Sequence, residues 1–353
     1  MGNIIYKIND KDYTPDELIA WCQSSLEHAE AWEKDIFNFI LEWLSDVSYV
    51  VVNTSGSTGE PQQIRMEKKL MMASAKLSAE YFNMKAGNEV LLCLPAVYIA
   101  GKMVIVRAFT NGFNLNWVEP AINPLLNIDR GFNLTSFTPM QVFEMLRSTP
   151  EKFERIEKVL VGGGPISAVL DQRLQETKNE VFATYGMTET ISHVAVRKVN
   201  APGTLFHALP GVKFSIDDDG CLIISAVHLN ALAIKTNDMV QLVGPYSFHF
   251  LGRRDNMINS GGIKLFPEKI ESQISTLMEN DFFLWKKADD SLGERMVLYI
   301  ESEPYNDTDV LRLKSSLKLL LNTFEVPKEI HLMPKFEITS SGKLDRRKTV
   351  SLL

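Results

Sequence analysis

The sequence offers little sulfur chemistry. Its 353 residues include three cysteines, Cys22, Cys93 and Cys221. They lie too far apart for a disulfide framework or a metal-ligand pattern, and read as buried or incidental thiols of a reducing compartment. No uncharged apolar run is long enough to span a bilayer. The opening MGNIIYKINDKDYTP lacks the apolar centre of a secretory signal. Gly2 after Met1 resembles a myristoylation start, but GNIIYK has no Ser or Thr at the sixth position. There is no basic excess either: 37 Lys and Arg stand against 44 Asp and Glu, a net charge of −7, which argues against a general nucleic-acid binder. The basic residues are scattered except for a dense group at 343–348. Repeats and low-complexity segments are missing. A soluble cytoplasmic protein is the expectation, and the chain is long enough for a sizeable core in two domains or more.

What is present is an alternation of strand and helix. A short strand is expected at 4–8, then a helix with Thr14 as N-cap and Pro15 at its first position. Trp32, Ile36, Phe39, Ile40 and Trp43 fall at helical spacing. VSYVVVNT (47–54) reads as a buried strand, followed by a helix over 70–83. Further strands are expected at 90–96, 114–118, 134–138, 158–164 and 180–186, with helices ending at Gly112, near 122–128, at 139–148 and after Pro165. Such alternation predicts an α/β fold with mixed, largely parallel sheets flanked by helices. Beyond residue 200 the pattern changes to a hairpin turned at Asp219-Gly220 and short strands. A small α+β unit follows, with helices expected at 267–278 and 309–322 and a polar basic tail. The division expected is 1–252 and 253–353.

Ligand sites in such sheets lie at the carboxyl ends of the strands. Three strands end in unusual loops: TSGSTGE, GGGPIS and YGMTET. From Thr54 to Gly59 every residue is Thr, Ser or Gly, which offers open backbone N–H groups and hydroxyls to an anion, phosphate above all. It is not a Walker A loop, and alone it serves equally as a solvated connection. Gly162–Gly164 lets a flat ligand approach the backbone, or makes a tight turn. Tyr185 offers a stacking face, Thr188 a hydroxyl and Glu189 a ligand for a hard cation, although a lone Glu there is commonly a helix N-terminal charge. Arg253 and Arg254 suit phosphate or ribose, or plain solvation. Lys343, after Ser-Ser-Gly, suits a developing negative charge, or belongs to a basic disordered tail.

TSGSTGEP, GGGP, YGMTET, TND, GRRDNMINSGG and TSSGKLDRR, in that order, resemble the motifs of the acyl-adenylate-forming superfamily: acyl-CoA synthetases, adenylation domains and luciferases. The resemblance spans the chain from about residue 48. It implies a large N-terminal ATP- and acid-binding domain and a small mobile C-terminal one. It implies an acid that attacks the α-phosphate of ATP, with Mg²⁺, and a thiol, usually CoA, that then takes the acyl group. By resemblance Thr54, Ser55, Gly56, Ser57, Thr58 and Gly59 hold the β- and γ-phosphates. Gly162, Gly163 and Gly164 line the adenine and Tyr185 stacks on it. Thr188 meets the α-phosphate, Glu189 holds Mg²⁺, and Asp238 binds the ribose with Arg253 nearby. Lys343 stabilises charge during adenylation. The small domain then turns about Asp255, removing Lys343 and bringing Gly261 and Gly262 to the thiol channel.

Two departures stand out. The family loop commonly continues Pro-Lys-Gly, whereas here it reads Pro61-Gln62-Gln63, which puts pyrophosphate handling in question. Tyr98 in LPAVYIAG stands where the family often has His at the acyl gate. The compact N-terminal portion, YGMTET-x-SH and IAGKMVIVRAF look like the o-succinylbenzoate–CoA ligases of menaquinone synthesis. Their substrate carries a second carboxylate, which a buried cation or several hydroxyls must receive. Lys102 and Arg107 are candidates beside Tyr98, with helix-surface charge as the alternative for each. Ser136 and Thr138 line the acyl pocket or are simply polar residues at a strand end. His193 and His207 lie near the predicted site, where a lone His is more often structural. Other functions share these motifs: an adenylating ligase for another aromatic or short acid or for a carrier protein, and a nucleotide-binding regulator without catalysis. No contact with nucleic acid and no stable membrane anchor are expected, and a homo-oligomer is compatible with the sequence. Lys343→Ala is expected to abolish adenylate formation while transfer from supplied acyl-adenylate to CoA continues. Survival of both half-reactions in a two-stage assay would show that Lys343 is not the adenylation lysine.

Overall fold

The computed structural model describes residues 4–53, 63–201, 203–278, 280–305, 307–338 and 344–353. The loop 54–59 and Lys343 therefore lie outside the described residues. One large mixed sheet organises the chain up to Arg253. Its parallel part runs in the spatial order Glu180–Gly186, Ile156–Val161, Phe132–Phe137, Glu89–Leu92, Asn114–Trp117, Tyr6–Ile8. Helices Ile99–Asn111, Pro139–Ser148 and Ala168–Leu174 make the crossovers. They follow from apolar residues at helical spacing and from local capping: Thr138 and Gln141 form a capping box, and Gly112 closes its helix at φ +67°. On the other side of Glu180–Gly186 the sheet continues antiparallel through His193–Lys198, Leu205–Ala208, Ser247–Arg253, Ala231–Leu242, Cys221–Ala226 and Val212–Ile216. Helices Pro15–Ser25, Ala31–Leu44 and Lys68–Tyr81 cover this framework around one apolar core.

Two local expectations need correction. The β-branched run 47–54 reads as a strand of the parallel sheet. Instead Tyr49–Asn53 pairs antiparallel with Gln63–Glu67 as a separate two-stranded sheet. Val50 and Val52 are buried and Val51 is 36% exposed, an alternation that one covered face explains. The 54–62 segment therefore connects two strands rather than a strand and a helix. The helix expected near 122–128 is a set of turns. Asn123 takes the Leu125 N–H on its Oδ1 at 3.1 Å and donates to Ser148 and Thr149, so its side chain competes with helical hydrogen bonding.

A second sheet carries the rest of the chain: Ile263–Leu265, Ile258–Ser260, Gly293–Glu301 and Phe282–Asp289, with Glu329–Met333 parallel to Gly293–Glu301. Helices Pro267–Ile274 and Asp307–Leu320 cover one face, while Phe283, Trp285, Tyr299 and Phe336 pack on the other against Leu344 and Val350. The basic tail is not featureless: Arg346–Val350 is helical, capped by Asp345, and Arg346 makes a forked pair with Glu271 at 2.8 and 2.9 Å. Burial raises the Glu271 carboxyl above its ordinary value even against the pull of that guanidinium. Removing one partner strands a buried charge. Arg346→Met is therefore expected to cost roughly 3–5 kcal/mol in denaturant unfolding, with much of the loss recovered in the double variant with Glu271→Met. A loss below about 1 kcal/mol would mean that the pair behaves as an exposed one.

Candidate active site

The strand Glu180–Gly186 is the seam between the parallel and antiparallel halves, and its carboxyl end gathers most of the described candidates. Thr184 Oγ donates to the Val161 carbonyl at 3.2 Å, and a Cβ on Gly162 would lie 2.5 Å from that hydroxyl. A side chain at 162 would have to displace that hydroxyl, and Gly162–Gly164 leaves the neighbouring strand as a bare backbone ledge. The Gly162 N–H donates to Phe137 O at 3.0 Å, and Gly164 faces Pro139.

Tyr185 packs edge-on to Phe248 with ring centroids 5.0 Å apart, and its hydroxyl donates to Asp238 Oδ2 at 2.6 Å. Burial first, then the Asp238 carboxylate, pushes the phenol far above its ordinary value, so it stays a donor. Asp238 is 8% exposed and sits opposite Arg253 in register, with 3.4 Å between Oδ1 and the guanidinium. Arg253 also lies 3.9 Å from Asp255, whose carboxylate accepts from Asn237 at 3.4 Å. Tyr185, Asp238, Arg253 and Asp255 thus form one connected set. A carboxylate floor beside a glycine ledge suits an adenosine: the ledge for a flat base, the carboxylate for vicinal hydroxyls.

Thr188 and Glu189 occupy one 3₁₀ turn, Thr188–Thr190, directly after the seam strand. Thr190 Oγ receives the Met187 N–H at 2.9 Å and has the Ser192 and Met187 carbonyls at 2.8 and 3.0 Å as acceptors for its one proton. Next comes Ile191 at φ +64°, ψ −50°, buried. That conformation costs a β-branched residue on the order of 1–3 kcal/mol and persists only where surroundings enforce it, as at functional turns. Among the described residues no group of three or more His, Cys, Asp or Glu could hold a metal ion by itself. A single Glu189 carboxylate fits a Mg²⁺ that arrives with nucleotide phosphates.

The turn delivers Ser192 and His193 to Arg107, on the helix Ile99–Asn111. Arg107 is 5% exposed, donates to Ser192 Oγ and lies 3.4 Å from His193 Nδ1. Arginine only donates, so Nδ1 accepts and Nε2–H donates to Ser78 Oγ at 3.3 Å. Burial, then Arg107 and His228, holds His193 well below its usual pKa and hence neutral. Burial pulls Arg107 down to about 10, still charged at neutral pH. Its Nε has no hydrogen-bond partner, and among the described residues no carboxylate pairs with it. The pairing with Ser192 and His193 is foreshadowed by the Ser-His that follows YGMTET. Ser78 carries no sequence signal, being one more small residue in a helix.

The other candidates stand apart. Tyr98 is the N-cap residue of Ile99–Asn111 and is 37% exposed. Lys102, one turn on, lies 3.7 Å from Glu42 and 4.3 Å over the Phe39 ring, away from Arg107's cluster. Thr138 is occupied as a helix cap, and Ser136 accepts from the Cys93 thiol through its carbonyl. Gly261 and Gly262 form the turn between Ile258–Ser260 and Ile263–Leu265, with the Gly261 N–H on Leu292 O at 2.8 Å. His207, on the strand Leu205–Ala208 next to His193–Lys198, pairs with Ser247 of the following strand rather than with Arg107. A Cβ on Gly186 would stand 2.4 Å from Ser192 O and 2.7 Å from His193 Cα. Gly186→Ala must push Ser192 and His193 off Arg107, and a displacement of that size is expected to lower turnover about 100-fold. Steady-state assay checks this, and unchanged turnover would detach the 186–193 turn from the site.

Comparison with known proteins places this geometry. The AMP-binding enzyme family matches residues 21–224, more than half of the chain. The 2-succinylbenzoate–CoA ligase of Lactococcus lactis subsp. lactis is 24% identical over 96% of this chain and 79% of its own length. The probable 2-succinylbenzoate–CoA ligase of Mycobacterium tuberculosis is 27% identical over 86% and 84%. The crystal structure of an acyl-CoA synthetase (AMP-forming)/AMP-acid ligase II-like protein from Dyadobacter fermentans superposes with a TM-score of 0.62 at 33% identity, covering 94% of this chain and 97% of that one. The o-succinylbenzoate CoA synthetase of Bacillus subtilis in complex with the acyl-adenylate intermediate gives a TM-score of 0.80 at 17% identity over 98% and 95%, a likeness of fold. The chain belongs to the AMP-binding enzyme family and is an adenylate-forming, AMP-forming acid–CoA ligase.

Proposed function

We propose that the acid is a dicarboxylic aromatic one, o-succinylbenzoate, and that the enzyme makes its CoA thioester for menaquinone synthesis in the cytoplasm. The observation that carries this reading is Arg107, a buried guanidinium with a free Nε and, among the described residues, no carboxylate partner, joined to the residues that follow Glu189. A desolvated cation without a counter-ion costs several kcal/mol, which a substrate carboxylate offsets when it binds. The names of the relatives, 2-succinylbenzoate–CoA ligases, point to an acid with that second carboxylate. Among the described residues no helix is long and apolar enough to cross a membrane.

The nucleotide is ATP with Mg²⁺, both of which are bound in a Bacillus subtilis neighbour of the same fold. Its base lies on Gly162–Gly164 beside Tyr185, its ribose on Asp238 and Arg253, and its phosphates against the 54–59 loop. Glu189 would hold Mg²⁺, which would supply neutralisation of the phosphate charge. Thr188 orients the α-phosphate. A carboxylate oxygen of the acid attacks the α-phosphorus, the α–β phosphoanhydride bond breaks, and pyrophosphate leaves with the electron pair. Lys343 balances the charge that develops there. The residues from Arg253 onward then rotate about Asp255, Gly261 and Gly262 come to the thiol channel, and the CoA sulfur displaces AMP from the acyl carbon.

ATP–pyrophosphate exchange with purified protein and Mg²⁺ tests the reading. Exchange is expected with o-succinylbenzoate and not with benzoate, which lacks the second carboxylate. Arg107→Met is expected to raise KM for o-succinylbenzoate about 100-fold while KM for ATP moves less than about twofold. Exchange driven equally by simple monocarboxylic acids, or an unaltered acid KM in Arg107→Met, would discard the dicarboxylic assignment. The adenylation chemistry would remain.

A further inference from the structure

Lys102 is the second buried cation of the helix Ile99–Asn111, and its surroundings give it a different task. The two-stranded sheet Tyr49–Asn53/Gln63–Glu67 stands apart from the large sheet, and its strands flank the 54–62 segment. A lone pair of strands is marginal by itself and needs an external hold. Its apolar face supplies Val50, Val52 and Met66 to the core. On its outer edge the Val51 N–H donates to Glu42 Oε1 at 2.9 Å. The other oxygen of Glu42 lies 3.7 Å from Lys102 Nζ. Lys102 is 8% exposed and rests over the Phe39 ring at 4.3 Å. Burial lowers its pKa, with Glu42 and then Asp35 opposing, so these two carboxylates, with Phe39, are what faces the ammonium from the helix Ala31–Leu44.

The chain of contacts is thus Lys102, Glu42, Val51. It links the helix that begins at Tyr98 and carries Arg107 to the strand that enters the Thr54–Gly59 loop. Of the two carboxylates, Glu42 is the one within ion-pair distance of the ammonium, so Lys102 holds Glu42, and Glu42 holds the edge of the strand. We propose that Glu42 and Lys102 are positioning residues for MgATP: they hold the paired strands Tyr49–Asn53 and Gln63–Glu67 against the helix Ile99–Asn111, and Lys102 does not touch the acid. The inference rests on the reading of Thr54–Gly59 as the phosphate loop.

The test measures MgATP affinity by calorimetry and both half-reactions for Glu42→Ala, Glu42→Gln, Lys102→Met and Thr58→Ala. Glu42→Ala loses the acceptor and the counter-ion together, and is expected to weaken MgATP binding about tenfold. Glu42→Gln keeps the acceptor for the Val51 N–H, and Lys102→Met removes only the charge, so each shows a smaller loss. Their combination is expected to lose little more than either alone, because the same contact is deleted. KM for the acid, and transfer from supplied acyl-adenylate to CoA, are expected to change less than about twofold. A rise in acid KM with Lys102→Met makes Lys102 an acid ligand and overturns the inference. So do unchanged MgATP binding in Glu42→Ala, or an equal fall in both half-reactions. Thr58→Ala reports on the loop alone: unaltered MgATP affinity there refutes the phosphate-loop reading. Weakened binding in Thr58→Ala with none in Glu42→Ala refutes only the positioning role.

Discussion

The contact on which the site depends is the backbone crowding at the carboxyl end of Glu180–Gly186. Gly186 lies so close to the Ser192 and His193 backbone that no Cβ fits between them, and the Thr184 hydroxyl lies against Gly162 at the end of the neighbouring strand. Between these two points Tyr185 reaches Asp238 on the antiparallel side. Three short-range contacts at consecutive residues therefore fix the glycine ledge, the Asp238–Arg253 floor and the turn that leads to Arg107. The strand can do this because it is the seam: parallel pairing brings in one loop, and antiparallel pairing folds the next turn straight back. The strained Ile191 is the local consequence, since a chain that must reverse over Thr188–Thr190 and still present Ser192 inward has few conformations available.

Most of the fold was legible because period and punctuation agreed. The helix ending at Gly112, the capped helix after Thr138 and the hairpin at Asp219-Gly220 each carry a mechanism in a few adjacent residues. The misread segments are those whose outcome is decided from outside. The run 49–53 has the β-branched composition of a central strand, yet its neighbour is Gln63–Glu67 rather than the parallel sheet, and nothing within the run says so. At 122–128 the apolar residues tolerate a helix, and the side chain of Asn123, bonded to Ser148 and Thr149 far along the chain, selects turns. In the candidate site the motif residues Gly162, Tyr185, Asp238 and Arg253 were visible as words in the sequence. Ser78 was not, because its partner His193 comes from another element 115 positions away.

The two cations of the helix Ile99–Asn111 show what a structure adds to such a reading. In the sequence Lys102 and Arg107 are equivalent: basic residues after Tyr98, each suited to a second carboxylate. Both prove to be buried, so burial does not separate them. Charge compensation does. Lys102 has Glu42 within 3.7 Å and an aromatic face beneath it, so a further anion at that place would compete with one already present. Arg107 has a hydroxyl and a neutral imidazole, which accept hydrogen bonds without cancelling charge. The desolvation cost of a guanidinium is several kcal/mol, well above the worth of two neutral hydrogen bonds at about 1 kcal/mol each. Among the described residues no carboxylate compensates the charge at Arg107, and an anionic group gains most where that charge stands. Five positions along one helix separate a cation with a carboxylate beside it from one whose described partners are a hydroxyl and an imidazole.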